Sequence, residues 1–260
     1  MSVLDRFRLD GKRMLITGGT RGLGREMAVA IADAGADVVL VARDQQNLEK
    51  AAEDIRALGR QAFTIAADVG HPDECQAACD EALQKYGPID ILINNVGGRR
   101  VNIPTAQLPL AKWQEIVDLN LTSTFLCTKT IGGAMVARGR GGRVINVASI
   151  SGLIVNRGIG GRSYEVAKAG VIQFTKAMAA DWAPQGVTVN AICPGFFMTE
   201  PNVRWAKEHP KLLEMYKDQI PIGEFGKAED MGPLAVYLAS EAASYITGAT
   251  LVIDGGYTLW

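Results

Sequence analysis

A tyrosine four residues before a lysine, Tyr164 and Lys168 in Ser163-Tyr164-Glu165-Val166-Ala167-Lys168, is the pair in this chain best suited to move a proton. Side chains at i and i+4 are neighbours on a helix face. A free phenol ionises near pH ~10 and an adjacent cation favours the phenolate, so such a couple can exchange a proton with an alcohol or carbonyl near neutral pH. The same spacing also describes a half-buried Tyr beside a solvated Lys, and other segments have to decide between the two. Thr17-Gly18-Gly19-Thr20-Arg21-Gly22-Leu23-Gly24 follows an apolar run and opens a helical one. Glycines there let the backbone approach a pyrophosphate, and a helix N-terminus favours its negative charge.

These groups need a scaffold, and the hydrophobic pattern supplies one. Apolar runs at Arg13–Thr17, Asp37–Ala42, Ala62–Ala66, 89–93, 143–147, 187–192 and Thr250–Ile253 read as strands. Between them 22–34, 45–58, 73–86, 110–136, 164–182 and 229–239 read as helices. The repeated β-α order predicts an α/β chain with a parallel seven-stranded sheet, doubly wound, with helices on both faces. Val38-Val39-Leu40-Val41 and Ile91-Leu92-Ile93 are continuously apolar, as strands covered on both faces are. No linker divides the chain, so residues 1–260 read as one domain. Two irregular stretches, 96–109 and 199–227, follow carboxyl ends of strands, where ligands bind such sheets, and are the expected substrate walls.

The 260 residues are 48% hydrophobic with a net charge of −1, which excludes a basic nucleic-acid binder. Arg138-Gly139-Arg140-Gly141-Gly142-Arg143 lies between a helix and a strand and reads as a solvated turn. The first ten residues mix both charges, so neither a signal peptide nor a membrane anchor is expected. Cys75, Cys79, Cys127 and Cys193 form no C-x-x-C framework, which points to a reducing cytoplasm. His71, Cys75 and Cys79 share an i, i+4, i+8 spacing. Thiols so placed are ordinarily small packing residues and Pro72 puts His71 at a helix entrance, so no metal site is expected.

Further motifs extend the pattern: Asn94-Asn95-Val96-Gly97 after the fourth strand, Ser149 after the fifth and Pro194-Gly195 after the sixth. With the Gly-rich turn and Tyr164-x-x-x-Lys168, the whole chain resembles the short-chain dehydrogenases/reductases, and parts of it are similar to gluconate 5-dehydrogenase-like members. The resemblance implies a Rossmann domain with Tyr164 as general acid/base and Lys168 lowering its pKa and binding the nicotinamide ribose. It further implies Ser149 hydrogen-bonding the substrate oxygen and Asn120 holding a water on the proton path. Ser151 is an alternative to Ser149, and Asn120 could instead cap or kink its helix. Val96 stands where the family usually has Ala, and Ser149 precedes Tyr164 by about two residues more than is typical. The extra residues fall near 156–162, where Gly158, Gly160 and Gly161 could form a bulging loop.

The implied cofactor site comprises Gly18, Thr20, Arg21, Gly22, Leu23, Gly24, Arg43, Asp68, Val69, Asn95, Gly97, Tyr164, Lys168, Pro194, Gly195 and Thr199. Asp68-Val69 resembles the adenine contact and Thr199 the hydroxyl that holds the carboxamide. Where a carboxylate would accept from the adenosine ribose, this chain has Arg43, with Arg21 as a second cation, which favours NADP over NAD. Asp44, the rival ribose acceptor, reads as a helix N-cap. The expected activity is oxidation of a secondary alcohol or reduction of a ketone, possible substrates being sugar acids or polyols. Arg99, Arg100, Arg157, Arg162 and Arg204 are candidate partners for a carboxylate. The alternatives are a 3-oxoacyl thioester reductase and a non-catalytic cofactor sensor. The resemblance also implies a homotetramer, consistent with the apolar 110–136 helix and an apolar chain end, Tyr257-Thr258-Leu259-Trp260.

Overall fold

Strands that are apolar on both faces require cover on both faces, and the chain provides it. The computed structural model describes residues 2–156, 160–200, 202–203 and 210–260. Strands β1 (Arg13–Thr17), β2 (Asp37–Ala42), β3 (Ala62–Ala66), β4 (Ile91–Asn94), β5 (Gly142–Val147), β6 (Val187–Pro194) and β7 (Thr250–Ile253) pair in parallel in the order β3-β2-β1-β4-β5-β6-β7. Four strands match the expected bounds. The β4, β5 and β6 ends differ by one or two residues; Cys193 and Pro194 continue β6 because β7 pairs alongside them.

Alternate residues along each strand enter opposite layers. Met14 and Ile16 pack with Met27, Ile31 and Leu48, from helices α1 (Gly22–Asp33) and α2 (Gln45–Ala57). Leu15 faces the other way, into the layer containing Cys79, Ile131 and Ala179. That layer draws on α3 (Pro72–Tyr86), a long helix α4 (110–138) and α5 (Ser163–Trp182), while α6 (Pro210–Lys217) and α7 (Met231–Ala239) complete the helices used below. Asp44 caps α2 by accepting from the Asn47 N–H at 2.9 Å, as its sequence position implies. Among the described residues, no helix is long and apolar enough to cross a membrane.

Helix α4 departs from the expected uniform helix. It widens into π geometry at Asp118–Thr122 and again at Thr128–Gly132. Its polar residues take up carbonyls along the widened turns: Asn120 Nδ2 donates to Ile116 O, Ser123 Oγ to Leu119 O and Thr124 Oγ1 to Asn120 O. The helix stops at Gly139, which is left-handed at φ 65°. The following Arg-rich turn is structural: Arg138 pairs with Asp90 at 2.9 Å and Arg143 with Glu241 at 3.0 Å.

A buried relay of side chains crosses this layer beneath the sheet's carboxyl edge. Asn94 Nδ2 donates to Thr128 Oγ1 and to Asn146 Oδ1, and Asn146 Nδ2 donates to Thr175 Oγ1, all at 2.8–2.9 Å. It fixes α4, β4, β5 and α5 against one another through directional bonds in a dry interior. The order β2-β1-β4 marks the point where the winding reverses, and the crevice at its carboxyl edge is where such a sheet receives a ligand.

Candidate active site

The crevice opens into a cavity of about 590 Å³. Its floor is the turn after β1. Gly18 and Gly22 are left-handed, at φ 70° and 55°, a conformation costly to residues with a Cβ. A Cβ on Gly24 would lie 2.2 Å from Gly18 O, so glycine there lets α1 close onto the turn and direct its N-terminus into the cavity. Thr17 Oγ1 accepts from Asn95 N and Val96 N, and Asn95 Nδ2 donates to Thr17 O and Gly18 O, which fastens the end of β4 to this turn. A cradle emptied of side chains above a helix N-terminus fits a dinucleotide pyrophosphate.

Every residue named for the cofactor lines this cavity, from Gly18, Thr20, Arg21, Gly22, Leu23 and Gly24 through Arg43, Asp68, Val69, Asn95 and Gly97 to Tyr164, Lys168, Pro194, Gly195 and Thr199. Arg43 is half-exposed and only loosely paired with Asp68, at 3.4 Å, so its charge remains available at the cavity wall. Asp44 lines the same wall, but its carboxylate is engaged as the cap of α2. Asn47, Leu119 and Ala148 also line the cavity. The family motifs did not name them, because they enter through packing.

At the inner end lie Tyr164 and Lys168. Lys168 is buried at 3% exposure, and its Nζ donates to Val147 O at 2.8 Å. Burial lowers its pKa to about 8. Its Nζ is 5.9 Å from the Tyr164 ring centroid, and the Tyr164 phenol is held above its ordinary value because burial outweighs the opposing pull of Ser149 and Arg99. The expectation that Lys168 makes the phenol acidic is therefore corrected for the protein alone. The nearer cation is Arg99, whose Cζ lies 4.9 Å from the ring centroid.

The Asn120 side-chain amide is engaged by protein groups. Its Oδ1 accepts from Gly98 N, and its Nδ2 donates to Gly98 O and Ile116 O, so the amide braces a loop and fills a π turn. It is fully buried behind the cavity wall. A Cβ on Gly97 would sit 2.7 Å from Asn120 Oδ1 and 2.8 Å from Lys168 Nζ, so the glycine allows the two to converge.

A second cavity of about 420 Å³ adjoins the first, and Ser149, Tyr164, Gly195, Phe197 and Asn202 line both. Ser149 therefore stands beside Tyr164 at the junction, whereas Ser151 lines only the second cavity and its Oγ accepts from Asn156 Nδ2 at 2.7 Å. Both irregular stretches line this second cavity, through Arg99 and Asn102 from the first and Asn202, Leu213, Tyr216 and Phe225 from the second. Phe196 belongs to no motif and only the fold brings it in, while Asn156 opens the 156–162 insertion without having been singled out within it.

Of the candidate arginines, Arg99 alone lines this second cavity among the described residues. Its Nη1 donates to Gly160 O, Gly161 O and Glu165 Oε2. Arg162 pairs with the same Glu165, at 3.0 Å, and Arg100 lines the larger cavity. Arg157, Gly158 and Arg204 lie outside the described residues.

Replacing Tyr164 by Phe keeps the packing and removes only the phenol hydroxyl. We expect Tyr164→Phe to lower turnover at least about a hundredfold while leaving the NADPH dissociation constant within about twofold, as read by fluorescence titration. Near-normal turnover would remove Tyr164 from the chemistry.

Comparison with known proteins agrees with this geometry. A family model described as Enoyl-(Acyl carrier protein) reductase matches residues 18–258. A galactitol 2-dehydrogenase (L-tagatose-forming) of Cereibacter sphaeroides is 40% identical over 254 residues, 98% of each chain. The structure of a short-chain type dehydrogenase/reductase from Mycobacterium marinum superposes with a TM-score of 0.90 at 39% identity over 99% of each chain. A gluconate 5-dehydrogenase from Burkholderia cenocepacia, solved in complex with NADP and tartrate, gives 0.92 at 35% identity over 100% of each. The motifs, the fold and these relatives agree: the chain belongs to the short-chain dehydrogenase/reductase family, oxidoreductases acting on CH–OH groups.

Proposed function

We propose that this protein is an NADP-preferring dehydrogenase/reductase for a sugar acid or polyol. The observation that carries the substrate class is the polar lining opposite Tyr164 and Ser149. Asn156 Oδ1 is buried with no hydrogen-bond partner among the described residues, and Asn102, Asn202 and Arg99 share its cavity. An unpaired buried acceptor is costly, and a substrate hydroxyl would satisfy it. Arg99 uses Nη1 for its protein contacts, which leaves its other N–H groups to bind a carboxylate. The names of the galactitol and gluconate relatives, and the tartrate in one of them, are of the same polyhydroxylated kind.

In this reading the substrate oxygen sits between Ser149 Oγ and Tyr164. During oxidation Tyr164 accepts the hydroxyl proton as the carbinol carbon loses hydride, and Ser149 stabilises the developing charge. Bound NADP supplies the hydride acceptor or donor, and in its oxidised form adds a positive ring that favours the phenolate. Lys168 holds the nicotinamide ribose, and Asn120 acts as a positioning residue through Gly98. An intact set of proton-transfer groups has no use in a cofactor sensor. A 3-oxoacyl thioester reductase would use the apolar wall of Phe196, Phe225 and Leu213 but would leave Asn156 unsatisfied.

A turnover screen of polyols, sugar acids, cyclic ketones and acyl thioesters with each cofactor tests the assignment. We expect sugar acids or polyols to be turned over fastest, and exclusive use of acyl thioesters would overturn it. Arg99→Met is expected to raise KM for sugar acids about tenfold or more and to leave KM for neutral polyols nearly unchanged. Parallel changes for both would assign Arg99 a purely structural role.

Arg43 and Arg21 support the NADP preference. Arg43→Asp should weaken NADPH far more than NADH, by about 1–3 kcal/mol for one charge-assisted phosphate contact. A wild type that already prefers NADH would refute this reading.

The homotetramer is supported by exposed apolar residues on the helices the family uses for assembly, Leu110 and Phe125 on α4 and Val166 on α5, and by Leu259 and Trp260 at the chain end. Tyr257 is buried against Phe196, so a diagnostic truncation must spare it. Deleting Leu259–Trp260 is expected to shift the species seen by light scattering from tetramer toward dimer. A monomeric wild type at micromolar concentration would exclude the tetramer.

A further inference from the structure

The sequence groups His71 with Cys75 and Cys79, but the fold does not. His71 caps the entrance of α3 and lies at the surface beside Asp68 and Glu74. The third member is Cys127, brought in by α4. The sulfur atoms of Cys75, Cys79 and Cys127 all lie within 4.8 Å of one another, with Cys75 and Cys127 only 3.5 Å apart. All three thiols are buried, at 0%, 2% and 1% exposure. Cys75 also approaches Ser123 O at 3.8 Å.

We propose that Cys75, Cys79 and Cys127 form a three-thiol site that takes one trivalent arsenic centre from arsenous acid. A pyramidal trivalent centre bonded to three sulfurs at about 2.3 Å, the length of a zinc–thiolate bond, spaces them about 3.5 Å apart, within the span already present. Charge then selects among the thiophilic ions. Three thiolates around copper(I) carry a net −2 and around zinc(II) a net −1, and no fourth His, Cys, Asp or Glu donor joins the group among the described residues. Burying such a charge in this layer, between Cys127, Ile131, Ala78 and Ala82, is costly. A trivalent centre with three thiolates is neutral.

The reaction balances without an oxidant. Three S–H and three As–O bonds break, three As–S bonds form, and the three protons leave with the three hydroxides as water, arsenic remaining trivalent. Entry needs only local opening of α3, whose Gln76 is tied to Thr130 of α4 at 3.0 Å beside the site. The adduct would staple α3 to the helix that carries Asn120.

Native mass spectrometry of the full chain, incubated with arsenite and a phosphine reductant that keeps disulfides from forming, tests the site. We expect one adduct per chain, weighing one arsenic less three hydrogens, together with a raised thermal transition. Cys127→Ala and, independently, Cys79→Ser should each abolish the adduct, and Cys193→Ala should leave it unchanged. The variants are checked for folding by circular dichroism, and the one that folds decides. Absence of an adduct in the wild type, its persistence in a folded Cys127→Ala or Cys79→Ser chain, or its loss in Cys193→Ala would overturn the proposal.

Discussion

The buried ammonium of Lys168 is the constraint around which the active site is arranged. A cation at 3% exposure with one protein acceptor, the Val147 carbonyl, is expensive to hold, and its lowered pKa records that cost. Among the described residues no carboxylate pairs with it, and Lys168 lines the cavity. Gly97 has no side chain to crowd the ammonium, Asn120 holds Gly98 from behind, and β5 supplies the carbonyl.

Holding that geometry falls to polar rather than apolar contacts. The relay from Thr128 through Asn94 and Asn146 to Thr175 ties both helices of the layer to adjacent strands. Apolar packing alone would allow α4 and α5 to slide by fractions of an ångström at small cost, whereas hydrogen bonds in a dry interior are lost steeply with distance. The π turns of α4 belong to the same arrangement. They reset the phase of the helix so that Asn120 meets Gly98 and Thr128 meets Asn94 on one face.

Most of this was legible from spacing. Strand cores announce themselves by unbroken apolar runs, the cradle by glycines between a strand and a helix, and the Tyr164–Lys168 pair by an i, i+4 step, all local properties. What escaped is long-range. Cys127 stands far from Cys75 in sequence yet 3.5 Å from it in space. Asn156 and Phe196 belong to no periodic pattern, and the π turns depend on Asn and Thr side chains that a propensity reading treats only as weak helix formers. The Tyr164 acidity escapes the sequence for a related reason: the i, i+4 step offers Lys168, but only the fold brings Arg99 nearer the ring and decides how much burial opposes either charge.

The chain end extends the same logic to the substrate wall. Tyr257 packs edge-on to Phe196 with ring centroids 5.1 Å apart, and Phe196 stacks on Tyr216 at 4.6 Å. Asp254 fixes the approach by accepting from Gly256 N, Thr258 N and Thr258 Oγ1. Phe196 and Tyr216 line the second cavity, so the back of that cavity rests on the last residues of the chain. Leu259 and Trp260 lie just beyond, exposed. The wall of the second cavity and the exposed chain end therefore meet at one aromatic cluster of Phe196, Tyr216 and Tyr257.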